Sequence, residues 1–109
     1  HAMGTFELYT DKAGEFRFRL KAGNNEIILA SEGYTTKASA QQGIESVKKN
    51  APDDARYECK TTKAGASFNL LAANGQVVGS SQVYGSEQAR DRGIESVKKN
   101  APTAAVKEV

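Results

Sequence analysis

The chain has 109 residues, of which 39% are hydrophobic and 26% charged, values typical of a soluble globular protein with one small core. Its 15 basic and 13 acidic residues give a net charge of +2, a balance that neither favours nor excludes a polyanionic partner. A single cysteine excludes an internal disulfide and favours a reducing compartment, so we expect a cytoplasmic protein.

The two ends of the chain give little sign of targeting. His1 and Ala2 precede Met3, and we interpret residues 1–3 as an expression remnant followed by the start methionine, with 4–109 as a single domain. No charged segment followed by an apolar one opens the chain, so we expect no secretory signal. The longest apolar runs are about four residues and cannot span a bilayer, so we expect no membrane association.

The chain contains an internal repeat. The ten letters GIESVKKNAP occur at 43–52 and again, unchanged, at 93–102. An offset of 50 aligns 16–52 with 66–102, and sixteen of those 37 positions are identical. Identity at this level indicates a duplication of a unit of about fifty residues.

Upstream of that alignment the offset becomes 51, because 6–14 matches 57–65 through the shared letters KAG. Loops tolerate a one-residue length change best, so KAG is predicted to be a hairpin connection. We therefore predict repeat 1 at about 5–55 and repeat 2 at about 56–109. Neither copy is expected to close a core alone, and together they would form a monomer with internal pseudo-two-fold symmetry.

Each copy begins with three predicted strands. FELYT at 6–10 alternates apolar and polar residues, as does EFRFRL at 15–20 after the KAG turn. The turn AGNNE then leads into EIILAS at 26–31, which is rich in β-branched residues. The second copy has the same pattern in YECKT, SFNLLA and VVGSS, and a short further strand is predicted after each helix, around 54–57 and 104–108.

A helix follows the three strands in each copy. Thr35 or Thr36, and Ser86 in the second copy, are predicted N-caps. After them the hydrophobic period changes from 2 to 3.6. In the first helix the small and apolar residues of one stripe are Ser39, Ala40, Gly43, Ile44 and Val47.

Most of the repeated decamer has a predicted structural role. Ile44 and Val47 are expected in the core, and Gly43 lies in the buried stripe, where helix and sheet, or the two helices, would be too close for a side chain. Asn50 is predicted to end the helix in the left-handed conformation, and Pro52 prevents its continuation. The same roles are predicted for Gly93, Ile94, Val97, Asn100 and Pro102. Glu45, Ser46 and Lys48 are expected to be exposed, yet they recur unchanged, so either the duplication is recent or both helices present one surface to one kind of partner.

The combination FRFRLKAGNNEIILASEGYTTKASAQQGIESVKKN with its second copy FNLLAANGQVVGSSQVYGSEQARDRGIESVKKN resembles the bacterial YegP-like family, whose members are small, uncharacterised tandem repeats. The motifs LKAGN, Ser-x-x-Tyr before each helix and GIxSVK carry the resemblance over residue 4 to about residue 105. It implies an α+β fold of two β(3)-α-β units forming one antiparallel sheet. It further implies that the C-terminal strands are swapped between the repeats and that both helices pack on one face. It implies no activity.

The sequence offers little for catalysis. Without a histidine beyond position 1, Cys59 has no imidazole to activate it, and its repeat partner Leu8 indicates a small buried hydrophobic residue. Asp53 and Asp54 read as a solvated turn. No metal-ligand or phosphate-loop pattern is present, so we predict no catalytic residues, no metal and no cofactor.

Binding through the sheet is the main alternative. Arg17, Arg19 and Lys21 share one face of the second strand and would line the open face of the sheet, where they could bind single-stranded nucleic acid or another anion. They could equally be solvated surface residues, because the second copy has Ser67, Asn69 and Leu71 at these positions. Leu71 is unusual as an outward residue and indicates a partner contact or a bulge.

Three functional classes therefore remain open. We expect a small, non-catalytic interaction or structural module whose partner, either a protein or an anionic ligand, is not identified by the sequence. Weak binding of nucleic acid or an anionic ligand through the basic face is the first alternative. An enzyme with an unrecognised site is the second.

Overall fold

A computed structural model describes residues 4–109; the interpretation of residues 1–3 lies outside the described residues. The strands are β1 Thr5–Thr10, β2 Phe16–Lys21, β3 Ile27–Ala30, β4 Tyr57–Thr62, β5 Gly65–Leu71, β6 Val77–Ser80 and β7 Ala105–Glu108. The helices are α1 Lys37–Asn50 and α2 Glu87–Asn100, with short 3-10 turns at Asp54–Arg56 and Ala101–Thr103. Neither α1 nor α2 is both long and apolar enough to cross a bilayer.

All seven strands lie in one sheet in the order β4-β5-β6-β3-β2-β1-β7. Each copy contributes a three-stranded meander, and the two meanders meet where β3 pairs antiparallel with β6. The first, second and third strands of one copy therefore lie in the reverse order of those of the other. Both helices cover the face that carries the core side chains. The α+β class, the tandem repeat and the pseudo-two-fold arrangement are confirmed.

One strand crosses between the copies, as the family resemblance implied: β7 follows α2 of the second copy but pairs with β1 of the first copy. β4 follows α1 directly, but it is the first strand of the second copy and pairs with β5 of that same copy. The expectation of a wholly antiparallel sheet is wrong, because β7 runs parallel to β1. The pseudo-two-fold axis relates β4 to β1. The chain that leaves α1 enters β4, so by symmetry the chain that leaves α2 should enter the position and direction of β1. Because β1 already fills that position, β7 lies outside β1 and runs parallel to it.

The separate short strand expected around 54–57 is also not formed. Asp53 accepts a hydrogen bond from the Ala55 N–H (3.0 Å) and caps a single 3-10 turn, Asp54–Arg56, which leads directly into β4 at Tyr57. The aspartates thus form the exposed turn that the sequence indicated.

The second hairpin of each copy contains a bulge. The pairing register shifts between Leu20 and Lys21 in the first copy and between Leu70 and Leu71 in the second, so the bulge explanation for Leu71 is confirmed. In the adjoining turn Asn25 has φ 69°, the left-handed conformation predicted for the AGNNE segment.

A serine after the third strand extends the sheet in both copies. Ser31 Oγ accepts the Phe18 N–H (2.9 Å) and donates to the Glu32 carbonyl (2.8 Å). Ser81 makes the same pair of bonds in the second copy. The polar side chain therefore satisfies backbone groups where regular pairing ends.

The core lies between the sheet and the two helices and draws on both copies. Val47 and Val97 are fully buried and Ile44 is 2% exposed, as predicted, whereas Ile94 is half-buried. The largest fully buried side chains are Phe6, Phe18, Phe68, Leu20, Leu29, Ile44, Leu70, Val47 and Val97.

The helix starts follow the prediction and the helix ends do not. Thr36 and Ser86 accept the N–H of the third residue after them, at 3.1 Å in both copies. Asn50, however, is the last residue of α1 and stays right-handed, so the left-handed C-cap predicted for Asn50 and Asn100 is wrong. The side-chain amide of Asn50 donates to the carbonyl and hydroxyl oxygens of Ser46, and this pairing holds the asparagine in the helix. Asn100 makes the same bonds to Ser96.

Gly43 and Gly93 lie where each helix packs tightly against the residues beneath it. A Cβ on Gly43 would lie 2.5 Å from Tyr34 Oη and 2.9 Å from Phe18 Cε2, and one on Gly93 would clash with Tyr84 Oη in the same way. The predicted close approach is confirmed, and the contact is with the tyrosine that precedes each helix. The Tyr84 hydroxyl is buried without a hydrogen-bond partner among residues 4–109.

We expect Gly43→Ala and Gly93→Ala each to lower the free energy of unfolding by up to about 2 kcal/mol, because the cost of overpacking (about 1–3 kcal/mol) is larger than the helix propensity gained (about 0.8–1 kcal/mol). Tyr84→Phe should cost nothing, and Gly93→Ala/Tyr84→Phe should recover part of the loss. Urea denaturation measures each value. Gly85→Ala is the matched control, since a Cβ there meets nothing within 4 Å. Equal stability of Gly93→Ala and Gly85→Ala would contradict the expected steric conflict.

Candidate functional site

The predicted basic residues lie on the open face of the sheet, but each one has an acidic neighbour. Arg17 Nε lies 2.6 Å from Asp11 Oδ2, and Arg19 Nε lies 2.7 Å from Glu7 Oε1. Lys21 Nζ lies 3.2 Å from the same Glu7 oxygen. The three cations therefore form an ion-paired strip and not a bare positive patch.

These ion pairs lower the pKa values of both acids. The hydrogen bond from Arg19 lowers the pKa of Glu7 below its ordinary value of 4.5, partial burial opposes this, and Lys21 lowers the pKa further. The pKa of Asp11 is likewise lowered, first by Arg17 and then by backbone N–H donors. Both carboxylates are thus held in the charged form and offset two of the three positive charges of the strip.

An aromatic ring completes this part of the surface. The guanidinium carbon of Arg19 lies 4.7 Å from the centre of the Tyr9 ring, within cation–π distance. In the second copy Asn69 takes the place of Arg19, and its amide donates to Glu58 (3.2 Å) and accepts from Ser80 (2.8 Å). The basic strip is therefore confined to one half of the sheet.

Cys59 is exposed, so the prediction of a small buried hydrophobic residue is wrong. Its counterpart Leu8 is 3% exposed because β7 lies outside β1. No strand within residues 4–109 lies outside β4, so Cys59 stays open to solvent. Sequence comparison of the copies could not reveal this, because the difference arises from which edge β7 covers.

The described part of the chain contains no group of three or more histidine, cysteine or carboxylate side chains placed to hold a metal ion.

Two equivalent grooves lie where the helix of one copy faces the second hairpin turn of the other. The first has a volume of about 410 Å³ and the second about 400 Å³. The first groove is lined by Gln42, Glu45, Ser46, Lys49 and Asn50 of α1 with Ala72, Ala73 and Asn74. The second is lined by Arg92, Glu95, Ser96, Lys99 and Asn100 of α2 with Ala22, Gly23 and Asn24. Subtracting 50 from every α2 number gives the α1 set, and the turns correspond in the same way.

The chemistry of each groove comes mostly from the repeated decamer. Glu45 and Lys49 are exposed and one helical turn apart, so they present a carboxylate and an ammonium group together. Ser46 and Asn50 satisfy each other and give the groove a fixed polar floor. Sequence reasoning missed the grooves, although the unexplained identity of exposed letters in the two decamers was their signal.

The neighbouring lysine of each decamer has a different role in each copy. Lys48 Nζ lies 5.9 Å from the centre of the Phe6 ring, whereas Lys98 is paired with Asp54 and lies 3.7 Å from Glu95. The identity of Lys48 and Lys98 therefore does not reflect one shared contact. The grooves are the surface that has an equivalent lining in both copies.

Comparison with known proteins matches the described architecture. The family profile described as "Domain of unknown function (DUF1508)" matches twice, at residues 11–58 and 63–108. The solution NMR structure of the yegP protein of unknown function from E. coli has 51% sequence identity and a TM-score of 0.93. The match covers 99% of this chain and 94% of that one.

Two curated relatives differ in how much of their length the match covers. The "UPF0339 protein in ptx operon 5'region" of Stutzerimonas stutzeri is 70% identical over 61 residues, which are 56% of this chain and 55% of the relative. The UPF0339 protein of Treponema denticola is 60% identical over 55 residues, 50% of this chain but 95% of the relative. The match thus spans about half the length of the first relative and nearly all of the second, which is about as long as one copy.

We expect the ion pairs of Glu7 to make stability depend on pH. Because the pKa of Glu7 is lower in the folded state, its contribution is fully present above about pH 4.5 and is lost as the pH falls through the folded pKa. Glu7→Gln should lower the free energy of unfolding at pH 7 by less than about 1 kcal/mol, as for surface ion pairs, and flatten the acid slope. Urea denaturation between pH 7 and pH 3 measures both effects.

The control is Glu58→Gln, whose nearest cation, Lys60, is 3.8 Å away and which should change the slope less. An acid slope identical in wild type and Glu7→Gln would contradict the assignment.

Proposed function

The chain belongs to the DUF1508 family, which confirms the YegP-like resemblance but assigns no activity, and we propose that the protein is a non-catalytic binding module with two equivalent helix–turn grooves. The observation that carries the proposal is the recurrence of the same four side chains in both grooves: Glu45, Ser46, Lys49 and Asn50, with Glu95, Ser96, Lys99 and Asn100.

Internal packing accounts for only part of this recurrence. Ser46 and Asn50 bond to each other, and these bonds explain their identity in the second copy. Glu45 and Lys49 are exposed, and exposed helix positions vary at little cost in stability. Of the two explanations that the sequence allows, a recent duplication and a shared partner, we propose the shared partner, whose ligand chemistry would retain both charges.

The groove geometry favours a ligand with both a positive and a negative group, such as a short peptide segment. Such a ligand would place its cation on Glu45 and its anion on Lys49, with the turn amide of Asn74 as a further hydrogen-bonding group. The second groove also contains Arg92 where the first has Gln42, so it should favour a more acidic ligand.

The same groove supports a binding role over a catalytic one. Its only hydroxyl nucleophile, Ser46, accepts the Asn50 amide at 3.2 Å and has no imidazole beside it. A serine without a general base is a weak nucleophile. We also propose a cytoplasmic location, because the single exposed thiol of Cys59 fits a reducing compartment.

The dipeptide lysyl-glutamate is a probe for the grooves, and we expect it to bind with a dissociation constant of about 1 mM, equivalent to about −4 kcal/mol. In an NMR titration the amide signals of 45–50 and 95–100 should shift together. The double substitution Glu45→Gln/Lys49→Gln keeps the net charge, removes both charged groups and should abolish the shifts in the first groove only. The second groove then serves as a control within the same molecule.

Absence of shifts in both grooves at 10 mM dipeptide (about ten times the expected dissociation constant) would reject the proposal. Equal shifts in the neutralised and the unchanged groove would show that the charges do not recognise the ligand.

A second candidate function rests on the stacking of Arg19 on Tyr9, since aromatic rings and arginine planes are the groups on which unpaired bases stack. Binding of single-stranded nucleic acid through Arg17, Arg19 and Lys21 would require phosphates to compete with Asp11 and Glu7 for these cations. We therefore propose this function only as an alternative to the grooves.

If the strip binds RNA, Glu7→Gln should bind a single-stranded oligonucleotide more tightly than wild type, because Arg19 and Lys21 are then free to contact phosphate. Each phosphate contact adds about −0.7 to the slope of log affinity against log salt, so the variant should show the steeper slope. Fluorescence anisotropy at several salt concentrations measures this, with Arg17→Ala/Arg19→Ala as the loss-of-binding control. A flat or absent response in all three proteins ends this alternative.

A further inference from the structure

β1 and β4 are equivalent strands of the two copies, but a further strand covers only β1 among residues 4–109. β1 and β4 correspond at an offset of 51 in sequence. β7 pairs with β1 along Thr5–Leu8 and covers that edge. β4 has no strand on its outer side among residues 4–109, and five of its six residues are exposed.

An uncovered edge strand presents unpaired backbone N–H and C=O groups that can bind another strand. The first copy shows how such a strand fits this fold, because β7 runs parallel to β1 with Val106 beside Phe6 and Lys107 beside Glu7. The corresponding residues of β4 are Tyr57 and Glu58. A strand docked in the same way would cover the core-side surface that Cys59 leaves exposed.

Charge at the helix end distinguishes the two edges. In the first copy Lys37, the first residue of α1, is ion-paired with Glu108 of β7. The equivalent first residue of α2 is Glu87, which accepts a hydrogen bond from Thr61 on β4 (3.3 Å). An acidic residue on the docking strand is stabilised at the first edge, whereas the second edge requires a basic one.

The surroundings of Glu87 leave this corner acidic. Arg90, which replaces Ala40 of the first copy, lies 3.9 Å from Glu87 and 3.1 Å from Asp91, so one cation faces two carboxylates. Among residues 4–109, Glu58, on the other face of β4, has Lys60 at 3.8 Å as its one neighbouring cation, and it also accepts a hydrogen bond from the Asn69 amide (3.2 Å). Each side of the edge strand therefore has a carboxylate available for a basic partner.

We propose that the outer edge of β4 binds an extended segment of a partner protein, running parallel to β4, with two consecutive basic residues after an apolar one. The apolar residue takes the place that Val106 has on β1, the first basic residue lies beside Glu58, and the second faces Glu87. A second copy of this chain is the poorer occupant, because its own β7 would bring Glu108 against Glu87.

The test uses two peptides of residues 103–109, TAAVKEV with the chain's own sequence and TAAVKKV with Glu108→Lys. Each is titrated into the isotope-labelled protein, and the amide signals of Tyr57–Thr62 are followed by NMR. TAAVKKV should bind about two- to tenfold more tightly than TAAVKEV, as expected when an attractive surface charge pair replaces a repulsive one. The edge of β1 should not respond, because the chain's own β7 is present there at high effective concentration.

Variants of the protein supply the controls. Glu87→Lys should reverse the preference between the peptides, and Glu87→Gln should abolish it if the lysine variant does not fold. Glu32→Lys changes the net charge by the same amount as Glu87→Lys but lies in the exposed segment after β3, outside both grooves, and it should leave the preference unchanged.

Three results would overturn the proposal. One is equal binding of both peptides to the wild-type protein, and another is binding without shifts at β4. The third is a change in the β4 signals with protein concentration alone, which would identify a second copy as the occupant. Failure of these tests leaves the groove proposal unaffected, because the grooves and β4 share no residue.

Discussion

The fold depends on an interior to which both copies contribute, and one of its close contacts lies where the copies meet. Leu29 and Gly79 are equivalent positions of β3 and β6, next to the pair Ala30 and Ser80. A Cβ on Gly79 would lie 2.7 Å from two side-chain carbons of Leu29. Because equivalent residues approach each other across a pseudo-two-fold axis, two leucines would compete for one space. One leucine and one glycine fill it, an arrangement that the sequence divergence of the two copies permits.

This joint interior explains why the helices and the strands exchange partners. α1 contacts β5 and β6 of the second copy as well as β2 of its own, and α2 contacts β3 of the first. The grooves are a direct product of that exchange, since each needs a helix from one copy and a turn from the other. A surface that exists only in the joined molecule supports treating both copies as one binding unit.

Periodicity and turn chemistry predict most of the fold, because they act over a few residues. The alternation in FRFRLK, the capping by Thr36 and Ser86, and the close approach at Gly43 all depend on local sequence. The failures concern longer distances. The direction of β7 and the exposure of Cys59 follow from which edge of the sheet the chain reaches last. Neither is encoded in the residues concerned.

The candidate sites were predictable to different degrees for the same reason. Alternation placed Arg17, Arg19 and Lys21 on one face, but it could not show that Glu7 and Asp11 lie against them, since cross-strand register decides those contacts. In the sequence, the only sign of the grooves was that exposed residues of the repeated decamer are identical in both copies without a local structural reason. Asn50 shows how such an identity can mislead. Asparagine before Ala-Pro suggested a left-handed C-cap, but the Asn50 amide instead donates hydrogen bonds to Ser46 within the helix.

The pattern of divergence between the copies separates the parts of the surface that are used alike from those used differently. Groove residues are identical at four of five helix positions. At the edges, by contrast, Lys37 is replaced by Glu87, Ala40 by Arg90 and Leu8 by Cys59. Had the second edge merely lost a covering strand, polar substitutions of any sign would have sufficed to solvate it. Instead, the charge is reversed at the one helix residue that pairs with β7 in the first copy, Lys37, whose counterpart is Glu87. This reversal is what we expect of an edge that binds a strand of opposite charge, and it is not needed for an edge that is merely solvated.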